Sequence, residues 1–386
     1  MSYTIGERRT ILVVDYHLFA SDLAEQLRRL GYSIVQVSPD QLSVASFQGL
    51  TLRHRPALVL AINFAAALAA LCSGFSVPYV TWTIDPLPPD RLCSTIQFDP
   101  KLCLAFAHRR SLVEQLSSMG CRAHYLPLAA PPRRHPIQDQ TRLERWRCGV
   151  SFVGGSLASD VEQFESWQSS QQLSGRIRAR LNHELRELFE RDIDDLNFCG
   201  LTPHTLAAAG PTIGALAART PPNELCYLLN GQLGYWQRRR VIEALEPLDL
   251  VVHGDDGFSR FARGYRGLAE HTEELTAIYN ASRVNVDMPR LYQREIITMR
   301  VFDVLACGGL VLTEHQPEVT RLFEPGKHLA TYRDIDELVR VTRELCSNPE
   351  RAAEMGLRGR DAVLASHTIA HRVTTILDAC SAEGWL

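Results

Sequence analysis

The strand–helix alternation of the first 130 residues constrains this chain more than any other feature. Short apolar or β-branched runs occur at ILVVD (11–15), YSIVQV (32–37), ALVLAI (57–62), VPYVTWTI (77–84), LCLAFA (102–107) and AHYLPL (123–128). Helical periodicity runs from Ser21 to Leu30, ending at Gly31, and again from Arg110 to Met119. Antiparallel strands can be joined by tight hairpins, whereas parallel strands need a long crossover, usually a helix. The spacing therefore predicts an α/β domain with a parallel sheet and right-handed crossovers. The uncharged run from Pro56 to Ile84 fits the same rhythm as strand, helix, strand. Asn63, Ser73-Gly74 and Pro78 interrupt it, and a membrane span requires about 20 continuous apolar residues.

Ala129 to Arg147, with its PPRRHP and polar residues, reads as an interdomain linker. Alternation then restarts. GVSFVGG (149–155), DLVVHGDD (249–256), SRVNVDM (282–288), LVLTE (310–314) and HLATY (328–332) are the strand signals. Helices are expected at about 235–246, 272–280, 297–307, 334–347 and 350–365, with a last one at about 369–380. Residues 157–229 read as a helical insertion. The expected organisation is residues 1–135, residues 136–365 with that insertion, and a closing segment 366–386. A length of 386 residues suits two domains, and 45% apolar residues suffice for two cores. Two Rossmann-like domains facing across a cleft follow, with ligands expected beyond the carboxyl ends of the strands.

Charge and cysteines narrow the function. A net charge of −3, with no basic stripe, argues against nucleic acid or an anionic membrane as partner. Ten cysteines are scattered without CxxC or zinc-finger spacing, and MSYTIGERRTILVVD has no signal-peptide pattern. These features predict a cytoplasmic protein with reduced thiols and no bound metal.

ILVVDYH opens like a bacterial receiver domain, but each phospho-acceptor position fails. Asp15 is followed by Tyr16 and His17, the third strand ends in Asn63, and the fifth ends in His108-Arg109. Asp15, His17, Asp85 and His108 nevertheless follow strand ends, where catalytic groups collect, and are candidate catalytic residues. Asp85 precedes Pro86 and suits a plain turn equally well.

In the second half, GVSFVGGS is a strand entering a glycine turn, and Gly154-Gly155 let backbone approach a ligand closely. It is neither GxGxxG nor Walker A. VHGDDGF places His253, Gly254 and Asp255 in a second such turn, suited to a base or ribose. Residues 279–338 carry most of the signal. A helix start near Ile296 to Met299, including Thr298, exposes N–H groups suited to a diphosphate. Glu295 and Asp303 stand eight apart, a spacing that on a helix turns both to similar faces. Carboxylates accept hydrogen bonds from sugar hydroxyls, and Arg300 suits phosphate oxygens. Arg300 and Asp303 are also spaced to pair with each other on a helix surface.

The run Arg300-Val-Phe-Asp303-Val-Leu-Ala-Cys-Gly308 resembles the RVFE-x-L-A-C-G of the spore maturation protein CgeB-like group of GT-B glycosyltransferases. YNASRVNV, LFEPGKHL, the YRDIDEL helix start and the closing His367, Thr368 and Arg372 resemble it too, as does SFVGG. The likeness is dense over about 250–380 and only architectural over 1–130. It implies a GT-B fold whose C-terminal helix crosses back to the first domain. It implies transfer of a sugar from a nucleotide-diphosphate sugar, such as a UDP-sugar, to a glycan, protein or small-molecule acceptor, without a cofactor. In the wider retaining enzymes of this fold an E-x7-E motif has its second acid on the donor ribose and its first near the donor sugar. Asp303 and Glu295 occupy those positions, with Asp in place of the second Glu and no glycine loop after Glu295. Glu318 matches a recurrent glutamate after the next strand. Retention at the sugar carbon rests on this likeness alone. An epimerase of the same fold and a non-catalytic sugar-nucleotide module are the competing classes.

Overall fold

The computed structural model describes residues 9–85, 96–192, 200–291 and 295–386. It divides into two compact units. Residues 1–132 and 365–386 form the first, and residues 133–364 the second.

The first unit holds a six-stranded sheet in the order β2-β1-β3-β4-β5-β6. The strands are β1 Thr10–Val14, β2 Ser33–Val37, β3 Leu58–Ile62, β4 Tyr79–Thr83, β5 Cys103–Ala107 and β6 Arg122–Tyr125. Every pairing is parallel, as in the register Ile11↔Leu58 and Tyr79↔Cys103. All residues of β3, β4 and β5 are buried, which is why β3 and β5 read as unbroken apolar runs and β4 as a charge-free one. Helices Ala20–Arg29, Val44–His54, Ala66–Gly74 and Arg110–Ser118 make crossovers. The charge-free segment is thus β3, a helix and β4. No helix among the described residues is long and apolar enough to cross a membrane.

The helix Ile369–Ala382 closes this unit, packing on Ala20–Arg29. Arg372 is 4% exposed and its Nη2 donates to the Leu128 carbonyl at 2.8 Å, its Nε to that of Pro127 at 2.8 Å. Its Nη2 lies 3.0 Å from His367 Nδ1, and Thr368 caps the helix in a box with His371. His367, Thr368 and Arg372 therefore fasten the returning helix.

The second unit holds a five-stranded parallel sheet in the order β11-β10-β9-β7-β8. The strands are β7 Cys148–Val153, β8 Leu250–His253, β9 Ser282–Val286, β10 Val311–Glu314 and β11 Ala330–Tyr332. Val150, Phe152, Val252, Val284 and Leu312 form the sheet's core, against Ile242, Leu245 and Leu338 of flanking helices. The helices Ala158–Ser170, Gly175–Asp192, Pro211–Ala217 and Pro222–Leu245 enclose a separate core around Leu181, Leu185, Ile213 and Leu229. The described helices between β7 and β8 thus form a subdomain with a core of its own, where a helical insertion was expected. The expected helix at 235–246 is the last three turns of one that starts at Pro222.

Residues 133–147 are not an extended tether. Arg134 is buried, Ile137 N donates to Asn280 Oδ1 at 2.9 Å, and Asn280 Nδ2 donates to the His135 carbonyl at 3.1 Å. These bonds sew the segment to the helix Glu273–Ala281.

Candidate functional site

In the second sheet β7 lies between β8 and β9. The chain therefore leaves β7 toward one side and later returns on the other, and ligands of open parallel sheets collect at such a switch point. Gly154-Gly155 follow β7, Gly254-Asp255 follow β8, and Asp287 to Arg290 follow β9. These loops, with the first turn of the helix Met299–Ala306, line a cavity of ≈ 430 Å³. Tyr279, His271 and the exposed Leu268 complete its wall.

Two glycines let the loops close together. A Cβ on Gly154 would lie 2.8 Å from Arg300 Nη2 and 3.0 Å from Phe152 Cζ. A Cβ on Gly254 would land on the Gly154 carbonyl oxygen. Asp255 clasps the two turns. Its carboxylate accepts from Ser156 N at 2.7 Å, from Gly257 N at 3.0 Å and from the Ser156 hydroxyl. Burial alone would raise its pKa, but these bonds hold it below the usual carboxylate value. Its hydrogen-bonding capacity is thus largely spent inside the protein. His253 is 3% exposed, its ring 5.6 Å from that of Trp146, and its Nδ1 has no hydrogen-bond partner. Burial, and then the Arg266 charge, lower its pKa, which leaves it neutral.

Among the described residues, three guanidinium groups reach the cavity from separate elements: Arg238, Arg290 and Arg300. Arg300 ion-pairs with Asp287, its Cζ lies 5.0 Å from the Phe152 ring centroid, and its Nε is buried without a hydrogen bond. Asp287 is 1% exposed and also accepts from the hydroxyls of Thr298 and Thr313, each at 2.8 Å. Thr298 is the N-cap of the helix, yet its hydroxyl goes to Asp287 and caps no N–H. The first-turn N–H groups of this helix therefore lack a side-chain cap beside a cluster of cations, a setting for an anion. Arg238 lies over the same Phe152 ring at 5.2 Å and donates to the carbonyls of Gly155 and Met288, the latter at 3.0 Å. Burial, then the charges of Arg300 and Arg290, push its pKa down to about 9. Like charges crowded in this way favour a polyanionic guest. Arg290 pairs with Asp160 at 3.2 Å.

Asp303 lines the same cavity and is 1% exposed. Its Oδ2 lies 3.1 Å from Arg134 Nε, while its Oδ1 has no hydrogen-bond partner. An unpaired buried carboxylate oxygen is costly in a folded protein and points to a donor supplied from outside. Burial raises the Asp303 pKa, opposed by Arg134.

The structure departs from the sequence reading at several residues. Arg300 and Asp303 do not pair with each other, because each has its own buried counter-ion, Asp287 and Arg134. Glu295 is exposed, precedes the helix start at Met299 and does not line the cavity. The eight-residue spacing to Asp303 thus places no two acids on one helical face. Glu318 is 4% exposed but ion-pairs with Arg321 at 2.6 Å on its own short helix Pro317–Leu322, away from the cavity wall. Gly154, Gly155, His253, Gly254, Asp255, Thr298, Met299, Arg300 and Asp303 are brought together. Arg238, Asp287, Arg290 and Arg134 were not anticipated.

In the first unit, Asp85 Oδ2 accepts from Tyr16 OH at 2.6 Å and from Asn63 Nδ2 at 2.8 Å. Asn63 sits at φ +64° and accepts from the Ile84 and Asp85 N–H groups at 2.9 and 3.0 Å. Asp85 is thus held at the carboxyl ends of β1, β3 and β4. Asp15 is exposed and accepts from Gln36 at 3.1 Å, and His17 is exposed beside the Tyr16 ring at 4.3 Å. His108 is 2% exposed, with Nδ1 2.9 Å from the Thr83 carbonyl and Nε2 unpartnered. Burial and Arg109 lower its pKa to about 4. It is a neutral core residue, not a solvent-facing base. Among the four candidates Asp85 is the carboxylate fixed by side-chain donors from two other strand ends.

Comparison with known proteins agrees with the two sheets. The model of a glycosyl transferase-like family matches residues 237–378. No curated protein matches the chain at a significant level. Sucrose-phosphate synthase from Thermosynechococcus elongatus superposes with a TM-score of 0.55 at 12% identity, covering 97% of this chain and 100% of that one. A glycosyltransferase from Rickettsia africae gives 0.55 at 10% identity, with 98% and 99% covered. The Anabaena protein HepE, solved in complex with UDP and glucose, gives 0.52 at 11% identity, with 97% and 100% covered. The chain has the GT-B fold. The CgeB-like group is not among these matches.

Proposed function

We propose that this protein is a glycosyltransferase that holds a nucleotide-diphosphate sugar in the cavity of the second unit and transfers the sugar to a hydroxyl acceptor. One observation carries the reading. At the switch point of a parallel sheet, three guanidinium groups and an uncapped helix start surround a cavity whose wall also holds an unpaired, buried carboxylate oxygen. Cations and N–H dipoles suit a diphosphate, and the Asp303 oxygen suits the hydroxyls of a ribose. The glycosyl transferase-like match over residues 237–378 and the fold support it. The UDP and glucose bound to HepE make a UDP-sugar the first donor to try.

The bond from the sugar carbon to the diphosphate oxygen breaks, and a bond to the acceptor oxygen forms. Arg238, Arg290 and Arg300 stabilise the charge that develops on the departing diphosphate, so the reaction runs without a divalent metal. We read the reaction as retaining, with the departing phosphate oxygen taking the acceptor proton. Free thiols at the eight described cysteines fit a cytoplasmic site.

A thermal-shift screen against nucleoside diphosphates and their sugars tests the donor reading, since a ligand that binds the folded state raises its unfolding temperature. At least one nucleotide sugar should stabilise the protein. Stabilisation by none would overturn the reading. Chelator should leave transfer unchanged, and proton NMR of the first product formed reports its anomer. A donor consumed without acceptor, and converted to another nucleotide sugar, would instead establish an epimerase.

A further inference from the structure

Arg134 is the second residue of the second unit, at the point where the chain enters it. In sequence it belongs to a proline-rich connecting segment. In the structure its side chain is fully buried, both terminal nitrogens are hydrogen-bonded, and Nε makes an ion-pair contact without hydrogen-bond geometry. Nη1 donates to the Thr272 carbonyl at 2.9 Å and the Thr276 hydroxyl at 3.0 Å. Nη2 donates to the His271 carbonyl at 3.0 Å. Nε faces Asp303 Oδ2 at 3.1 Å, and the group lies 5.8 Å from the Tyr279 ring centroid. The guanidinium plane is thus fixed by the loop and helix at 271–279 before it meets the carboxylate. A fork held this way presents one nitrogen in one direction, which a lysine cannot reproduce.

The carboxylate it meets has two unlike oxygens. One faces Arg134, and the other is buried, unpaired and in the cavity wall. Were Asp303 protonated, its proton would need an acceptor and its acceptor strength toward a sugar hydroxyl would fall. Groups of several elements face it. Arg133 and Arg134 come from the entering segment, His271 and Tyr279 from the loop and helix beside it, and Cys307 from the end of its own helix, while Arg300 of that helix lines the same cavity. Arg300 is committed to Asp287. His271 is held toward its neutral form, by burial and then by Arg134 itself. Arg134 is the cation in direct contact.

We infer that Arg134 is a positioning residue of the nucleotide-sugar site: it keeps Asp303 ionised with one carboxylate oxygen presented to the cavity. The segment by which the chain enters the second unit thereby carries part of the donor subsite. The inference rests on the donor reading above, and it adds a residue that never touches the ligand.

The test is calorimetric titration of the full chain with UDP-glucose, GDP-mannose and dTDP-glucose, whose diphosphate diesters do not titrate near neutrality. Wild type should bind one of them with an affinity that falls less between about pH 9 and about pH 6 than that of Arg134→Gln, because Arg134 opposes the upward pull of burial on the Asp303 pKa. Arg134→Gln should bind it at least about tenfold more weakly at about pH 6, close to Asp303→Asn, and recover toward wild type as pH rises. Asp303→Asn should be weak and flat. Should Arg134→Gln fail to fold, Arg134→Lys and the charge-free Arg134→Gln/Asp303→Asn pair replace it. Arg134→Lys, which keeps the charge and loses the fork, should bind more weakly with the pH profile of wild type, and the double variant should show the flat profile of Asp303→Asn. An Arg134→Gln profile that is pH-flat or indistinguishable from wild type, or an Arg134→Lys affinity equal to that of wild type, overturns the inference while leaving the donor reading intact. Wild type binding none of the three ligands and no other nucleotide-diphosphate sugar overturns both.

Discussion

Gly154→Ala isolates the role of Arg300 without removing a charge. The added Cβ would sit 2.8 Å from Arg300 Nη2 and 3.0 Å from Phe152 Cζ. Of these, the guanidinium end is free to move, because Arg300 is the terminus of a flexible side chain and is held chiefly by Asp287. Overpacking costs about 1–3 kcal/mol in general, and about 1 kcal/mol is expected where a side-chain terminus yields. The displaced guanidinium would lose its alignment on the cavity. A hydrogen bond to a charged group contributes about 1.5–3 kcal/mol, which at about 1.4 kcal/mol per decade is roughly a 10- to 100-fold weaker donor affinity. Titration with the nucleotide sugar that wild type binds, alongside thermal unfolding, separates the two effects. The expected result is a modestly lowered unfolding temperature with a large loss of affinity. An affinity within about twofold of wild type would refute the placement of Arg300 against the ligand.

Gly254→Ala should be far more damaging to stability, by about 3 kcal/mol, because its Cβ meets the Gly154 backbone oxygen, which cannot swing aside. Gly155→Ala, whose nearest contact is Asp255 Oδ2 at 3.4 Å, is the near-neutral control in the same denaturation assay. Arg238→Met should unfold cooperatively yet lose donor affinity by at least about tenfold, since a buried cation crowded by two others is removed while its stem volume is kept. His108 makes stability pH-dependent. Its folded pKa of about 4 lies below the ordinary 6.5, so the unfolded chain binds the extra proton first and stability falls as pH drops from 6.5 toward 4. The loss is about 3 kcal/mol over that window, and unfolding of His108→Asn followed across it should show a correspondingly flatter profile.

How much of this was legible depended on whether a residue's partner lay nearby in sequence. The strands were, because burial on both faces leaves continuous apolar runs such as LVLAI and CLAFA. The glycine turns after β7 and β8, and the helix carrying Arg300 and Asp303, were also legible, since strand, turn and helix start follow one another locally. Arg238 was missed for a reason that helical phase could have corrected. It stands in a run of three arginines, which reads as a solvated face. Yet it shares the buried face of its helix with Gly234, Val241, Ile242 and Leu245, while Arg239 is exposed and pairs with Glu243 at 2.7 Å. Asp287 had a weaker signal, an acid closing the run SRVNVD. Arg134 had none, because its carboxylate partner lies in a distant helix and its surroundings in sequence resemble a linker. Glu295 went the other way: a spacing that suits a helix misled because the helix begins only at Met299.

The most direct measurement is titration of the intact protein with nucleotide-diphosphate sugars, repeated with Arg300→Met. At least one nucleotide sugar should bind saturably and one-to-one, be displaced by its nucleoside diphosphate, and bind at least about tenfold more weakly to the variant. A folded wild-type protein that binds no nucleotide sugar, or an Arg300→Met variant that binds it as tightly as wild type, would contradict the account.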